Sequence, residues 1–196
     1  TNLLAIDEEV KEFYYNLNNL FWTVCILEEE DINRVRLLKD LNKTINFLDL
    51  RKIYSEDFYC SLREANKYLK DHYYSRVNKN CPLVTAIGHT HIDIAWLWTI
   101  NQTKEKVVRS FSTVLHLMDR YPEYKFMSSQ PQLYEFLKEE EPELFEKVKE
   151  KVKEGRWEVD GAMWVEADCN IPSGESLVRQ LLLGIRFFEK EFNVKC

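Results

Sequence analysis

The sequence predicts an α/β fold, a parallel sheet assembled from successive strand–helix units behind an all-helical N-terminal region. Three observations predict it. Apolar residues within 1–80 recur every three or four positions. From Leu83 onward the pattern alternates strand and helix three times. Polar or aromatic residues cluster directly behind each predicted strand. Successive crossover units join parallel strands, and the carboxyl ends of such strands collect functional groups on one rim.

The elements follow in order. Val10, Phe13, Leu17, Leu20, Val24 and Leu27 mark a first helix capped by Asp7. Ile32, Val35, Leu38, Leu41, Ile45 and Leu48 mark a second behind Asp31, and Phe58, Leu62, Ala65, Leu69 and Tyr73 a third after Ser55. These stripes read as packing surfaces. Asn78, Asn80 and Pro82 make the stretch from Ser75 turn-like, so the chain divides into a helical region, 1–80, and a second region, 81–196.

In the second region the first strand is Leu83 to Gly88. Its helix runs from about Gln102 to Met118, with Val107, Phe111, Val114 and Leu115 inward. Tyr124 to Ser128 is the second strand, and a helical stretch from Gln132 to Lys153 follows. Pro142 restarts the helix inside that stretch, and Gly155 ends it. Trp157 to Ala162 is the third strand. Ser173 then caps a helix over Gly174 to Phe192. The acidic and Lys/Glu-rich run from Glu139 to Lys153 reads as a solvated helix face.

Composition narrows the function. A net charge of −6 argues against a phosphate-binding nucleic-acid partner, which needs a basic face, and 45% hydrophobic with 13% aromatic residues supplies a real core. No apolar run approaches the ~18 residues of a membrane span, and Thr1 to Glu9 lack the basic start and apolar stretch of a signal peptide. Cys25, Cys60, Cys81, Cys169 and Cys196 are odd in number and form no CxxC pair. They read as small buried residues of a reduced, cytoplasmic protein.

The chemistry concentrates in Gly88-His-Thr-His-Ile-Asp93-Ile-Ala-Trp-Leu-Trp98. Alternate strand residues share a face, so His89, His91 and Asp93 point one way and Thr90, Ile92 and Ile94 the other. Imidazole and carboxylate on one face can chelate a divalent cation, zinc above all. Indole faces such as those of Trp96 and Trp98 suit sugar rings. The other strand ends, Ser128–Gln132 and Met163–Asn170, face the same rim.

That segment closely resembles the start of the catalytic domain of family 38 glycoside hydrolases, the retaining α-mannosidases. Tyr121-Pro-Glu-Tyr-Lys-Phe-Met-Ser-Ser-Gln130 and Gly161-Ala-Met-Trp-Val-Glu166-Ala-Asp168-Cys-Asn170, continuing to Gln180, match it in the same order. The Trp-Val-Glu-x-Asp-x-Asn form is similar to the cytosolic or vacuolar branch. The resemblance implies a seven-stranded α/β barrel with zinc or cobalt at its mouth, of which this chain carries the first part. It implies His91 and Asp93 as metal ligands and Trp96 as the aromatic against the bound sugar. His89 would stand behind the ligands as support. Glu166 and Asp168 match a motif near the mouth, either touching ligand or hydrogen-bonding the loop backbone.

A retaining glycosidase uses two carboxyl groups ~5–5.5 Å apart. The resemblance implies that both, and the last histidine ligand, lie beyond Cys196. The fragment alone is therefore expected to be inactive and, with an open sheet edge, marginal and prone to aggregate. The expected partners are α-mannoside oligosaccharides and the remainder of its own polypeptide, with no nucleic acid and no membrane, and a homo-oligomer stays open. Two alternatives stay open. One is another α/β-barrel metal hydrolase, an amidohydrolase using both His89 and His91 or a polysaccharide deacetylase. The other is a non-catalytic carbohydrate-binding fragment.

Overall fold

The computed structural model describes residues 5–76, 82 and 84–196. Leu83, Cys81 and the turn residues Asn78 and Asn80 lie outside the described residues. The chain forms two compact units, Thr1–Leu83 and Val84–Cys196.

The first unit packs three helices, α1 (Glu8–Ile26), α2 (Ile32–Phe47) and α3 (Glu56–Leu69), and α3 continues into a π-helical turn, Lys70–Tyr74. Asp7, Asp31 and Ser55 cap them, each side chain accepting a backbone N–H of the first turn. The α1 and α3 stripes face inward as their period requires, with Phe13, Leu20, Val24, Phe58, Leu62, Ala65 and Leu69 buried.

Helix α2 departs from its apolar stripe. Ile32, Val35 and Ile45 are exposed, and the inward face is Leu37, Asp40, Leu41 and Thr44. Hydrogen bonding explains the rotation. Asp40 accepts from the Tyr68 hydroxyl at 2.9 Å and from Arg76 at 3.1 Å, and the Thr44 hydroxyl donates back to the Asp40 carbonyl. A buried carboxylate with such partners is tolerated where an unpaired one is not.

The second unit is a three-stranded parallel sheet, ordered β1 (Gly88–His89), β2 (Phe126–Ser128), β3 (Trp157–Val159). Gly88 pairs with Phe126, and Phe126 with Trp157. Helix α4 (Ile100–Arg120) joins the first two strands. Helices α5 (Pro131–Glu140) and α6 (Pro142–Lys153) join the next two, and α7 (Gly174–Phe192) follows β3. Both α5 and α6 start on proline, whose missing N–H is no loss in a first turn.

The strands are shorter than expected. Positions 84–87 take no regular element, and Val84 and Ile87 are exposed; among the described residues only Gly88 and His89 of β1 pair with β2. Helix α4 starts earlier than its apolar stripe, at a reciprocal cap in which Thr99 and Gln102 each bond the other's backbone N–H.

The core centres on Phe111, Phe126, Tyr134 and Trp157, all essentially inaccessible, with Phe111 and Trp157 edge-to-face at 4.9 Å. Burying each contributes about 1.5–3 kcal/mol. The polar atoms inside are satisfied in series: the Trp157 indole donates to the Tyr134 hydroxyl at 2.9 Å, which donates to the Ser128 carbonyl at 2.7 Å. That relay fixes the carboxyl end of β2 against α5. At Gly88 a Cβ would overlap the end of the Tyr124 ring, so a larger residue there would displace that side chain.

Cysteine burial is a correction. Cys25, Cys60, Cys169 and Cys196 are free and exposed. They fall on outer helix positions, in a loop and at the chain end. No helix among the described residues is long and apolar enough to cross a membrane.

Candidate functional site

Parallel pairing sends the carboxyl ends of all three strands to one edge. Each loop leaving that edge contains a non-glycine residue in the left-handed region: Ala95 at φ 60°, Gln130 at φ 56° and Ala162 at φ 56°. Such backbone costs about 1–3 kcal/mol per residue and persists where surroundings hold it.

The alternation predicted for the first loop holds past the strand itself. Ile92 enters the core and Ile94 packs against it, while His91 and Asp93 turn outward together. His91 Nε2 lies 2.8 Å from Asp93 Oδ1, and His91 Nδ1 lies 2.7 Å from Glu166 Oε2, with all three side chains about half exposed. The Asp93 hydrogen bond, chiefly, holds the His91 imidazolium above its ordinary range; Glu166 adds to this and partial desolvation opposes it. The cluster favours positive charge between two carboxylates.

His89 places Nδ1 3.0 Å from the Met127 carbonyl, which leaves Nε2 toward the rim. Donor atoms of His89, His91 and Glu166 lie within 4.8 Å of one another. Asp168 is not drawn into the group. Its carboxylate accepts the Asn170 N–H at 3.0 Å and shapes its own loop.

The donors suit a divalent ion. Nitrogen and oxygen ligands bonded at about 2.0–2.2 Å to one tetrahedral cation sit about 3.4 Å apart. His91 Nε2 and Asp93 Oδ1, now at hydrogen-bond distance, would open by roughly half an ångström to share one. Two such donors make one edge of a coordination shell and leave other positions open.

The two tryptophans divide their work. Trp98 is half-buried, and its indole N–H donates to the Asp93 carbonyl at 3.2 Å and to the Thr103 hydroxyl at 3.1 Å. Thr103, fully buried, also accepts the Ala95 N–H at 3.2 Å. Trp98 thus anchors the loop. Trp96 stands edge-to-face on it at 5.3 Å, with 67% of its surface open. A shallow cleft of about 180 Å³ opens beside His91, lined in part by Trp98, Lys106 and Arg109.

Two residues that the motif reading did not single out hold the site together. Gln130 is buried, its amide donating to the Ile92 carbonyl and accepting the Glu166 N–H, both at 3.2 Å. Ser129 donates to Glu166 Oε1 at 2.7 Å. The available signal was a polar pair at a strand end just before a helix-starting proline.

Residues 82–196 match the glycosyl hydrolases family 38 N-terminal domain. Alpha-mannosidase G of Dictyostelium discoideum is 41% identical over 191 residues, 97% of this chain and 17% of its own length. An alpha-mannosidase of Saccharomyces cerevisiae is 43% identical over 164 residues, 83% of the chain and 15% of its own length. Human alpha-mannosidase 2C1 is 45% identical over 113 residues, 58% of the chain and 11% of its own length. The chain thus spans about a sixth or less of the length of these relatives.

Proposed function

The chain belongs to glycosyl hydrolase family 38, and from that membership we propose that it serves in a metal-dependent retaining α-mannosidase acting on terminal α-mannosides of glycans. One observation carries the reading: the family match over 82–196 covers the loop in which His91 Nε2 and Asp93 Oδ1 stand 2.8 Å apart. The three parallel strands are read as the start of a seven-stranded α/β barrel. Residues 81–196 would then be the first part of the catalytic domain, preceded by the helical region 1–80.

In this proposal His91 and Asp93 hold zinc or cobalt. When bound, that ion supplies a fixed charge for adjacent sugar hydroxyls and helps flatten the ring. His91 and Asp93 fix where that charge sits. The open face of Trp96 receives the apolar side of the sugar, and Trp98 keeps that face in place through its bonds to Asp93 and Thr103. His89 braces the loop against β2 through Met127. We assign neither the nucleophile nor the acid/base to a residue of this chain. A reduced, cytoplasmic setting accords with four exposed, unpaired thiols among the described residues.

A second reading is favoured by the mutual proximity of His89, His91 and Glu166. It keeps the family membership and gives the ion to both histidines in place of Asp93. Co²⁺ titration separates the two. The first reading expects binding to be lost in Asp93→Ala and kept in His89→Ala, and the reverse pattern supports the rival.

Activity is tested by grafting. This chain replaces the matching 191 residues of the Dictyostelium relative. The graft should release the aglycone from an aryl α-mannoside in a metal-dependent way, and the same graft carrying Asp93→Ala should not. A folded, cobalt-binding graft without turnover would overturn the proposal.

A further inference from the structure

Glu166 is engaged at every polar atom that fixes its direction. Its N–H donates to Gln130 Oε1 at 3.2 Å, its Oε1 accepts from Ser129 at 2.7 Å, and its Oε2 lies 2.7 Å from His91 Nδ1. Gln130 is only 3% exposed and bonds the Ile92 carbonyl as well, so one buried amide sets the third loop against the loop that carries His91. The residues before Glu166 are pinned too. Trp164 N–H donates to the Gln180 carbonyl and Val165 N–H to the Gln180 side chain at 2.8 Å. Asp93 is held less fully: Oδ1 faces His91, and Oδ2 has no hydrogen-bond partner among the described residues.

A neutral imidazole carries one proton, and the nitrogen without it offers the lone pair. A carboxylate can only accept; Glu166 is aimed at Nδ1 and Asp93 at Nε2, so without an ion both nitrogens face acceptors, and a cation shared with Asp93 would take the place of the Nε2 proton. We infer that Glu166 is a positioning carboxylate: it holds His91 as the Nδ1–H tautomer and turns the Nε2 lone pair toward the cation shared with Asp93. The inference rests on the assignment of His91 and Asp93 as ligands. Carboxylates behind a ligating histidine fix ring orientation and raise its basicity, and losing one typically weakens metal binding about 10–100-fold. Ser129 and Gln130 act one step further out, by fixing Glu166.

The test has a metal-free arm and a metal arm. In the first, the chain is labelled with ¹⁵N-histidine in an Asp93→Ala background, which removes the competing acceptor. Long-range ¹H–¹⁵N spectra are read at a pH where His91 is neutral. The proton should sit on Nδ1 and move toward Nε2 when Glu166→Ala is added; an unmoved proton overturns the inference. In the second arm, Co²⁺ titration of Glu166→Ala should show binding about 10–100-fold weaker than wild type. The ligand-field spectrum at saturation should be unchanged. Glu166→Gln, which keeps an acceptor oxygen, should restore part of the loss. An altered saturated spectrum would make Glu166 a ligand and overturn the positioning role, as would Glu166→Gln binding no better than Glu166→Ala. Failure of the ligand assignment looks different: Co²⁺ would bind equally well to wild type and Asp93→Ala, and the metal-free arm would then decide the role of Glu166 alone.

Discussion

Gly184 of α7 lies directly against the carbonyl oxygen of Ala162, so close that a Cβ at Gly184 would overlap it. Ala162 is itself left-handed at φ 56° and opens the loop that delivers Glu166. Gly184→Ala should therefore destabilise the second unit by about 1–3 kcal/mol through overpacking, although alanine favours a helix by about 1 kcal/mol. Urea denaturation measures this, and a stabilised variant would show that the contact is not tight.

The pair formed by Lys138 on α5 and Glu191 on α7, 2.9 Å apart, predicts a pH dependence. Burial pushes the Glu191 carboxyl up, but the hydrogen bond and charge of Lys138, with Lys190, outweigh it and hold the group below its ordinary value. Lys138 is correspondingly raised by the same bond. A depressed carboxylate stabilises the fold above its unfolded pKa of about 4.3, and that stabilisation disappears as pH falls through the folded value. Lys138→Met should cost about 0.5–1 kcal/mol at neutral pH and nothing once Glu191 is protonated. Paired denaturation curves at the two pH values check it; equal costs at both would count against the pair.

Trp96 and Trp98 should respond differently to substitution. Trp98→Phe leaves the Thr103 hydroxyl and the Asp93 carbonyl short of a donor, and should lower stability by about 1–3 kcal/mol. Trp96→Ala removes an exposed side chain and should leave stability within about 0.5 kcal/mol, while raising KM for an aryl α-mannoside in the grafted enzyme. Thermal melts alongside the graft assay test the division, and the opposite assignment of effects would refute it.

The 196-residue chain alone should release no aglycone from an aryl α-mannoside, with or without Zn²⁺ or Co²⁺. A signal that survives purification and vanishes with Asp93→Ala would require a catalytic carboxylate within this chain.

Features written along one element were legible in the sequence, because helix and strand periods repeat over neighbouring residues. The stripes of α1, α3 and α4, the caps Asp7, Asp31, Ser55 and Ser173, and the proline opening α6 are of this kind. So is the common direction of His91 and Asp93, two residues apart. Where polar partners come from elsewhere, the same logic failed. Asp40 and Thr44 turned α2 away from its apolar stripe because Tyr68 and Arg76 satisfy Asp40 from distant positions.

The sequence by itself determined the order of elements, the kinship and the rim on which chemistry would gather. Tertiary structure alone decided that Glu166 reaches His91 while Asp168, two residues on, does not, and that the buried amide of Gln130 ties their loops together. The reason is physical: a contact between residues 75 positions apart is set by strand register and by α7 packing on Ala162, and no short-range period encodes either.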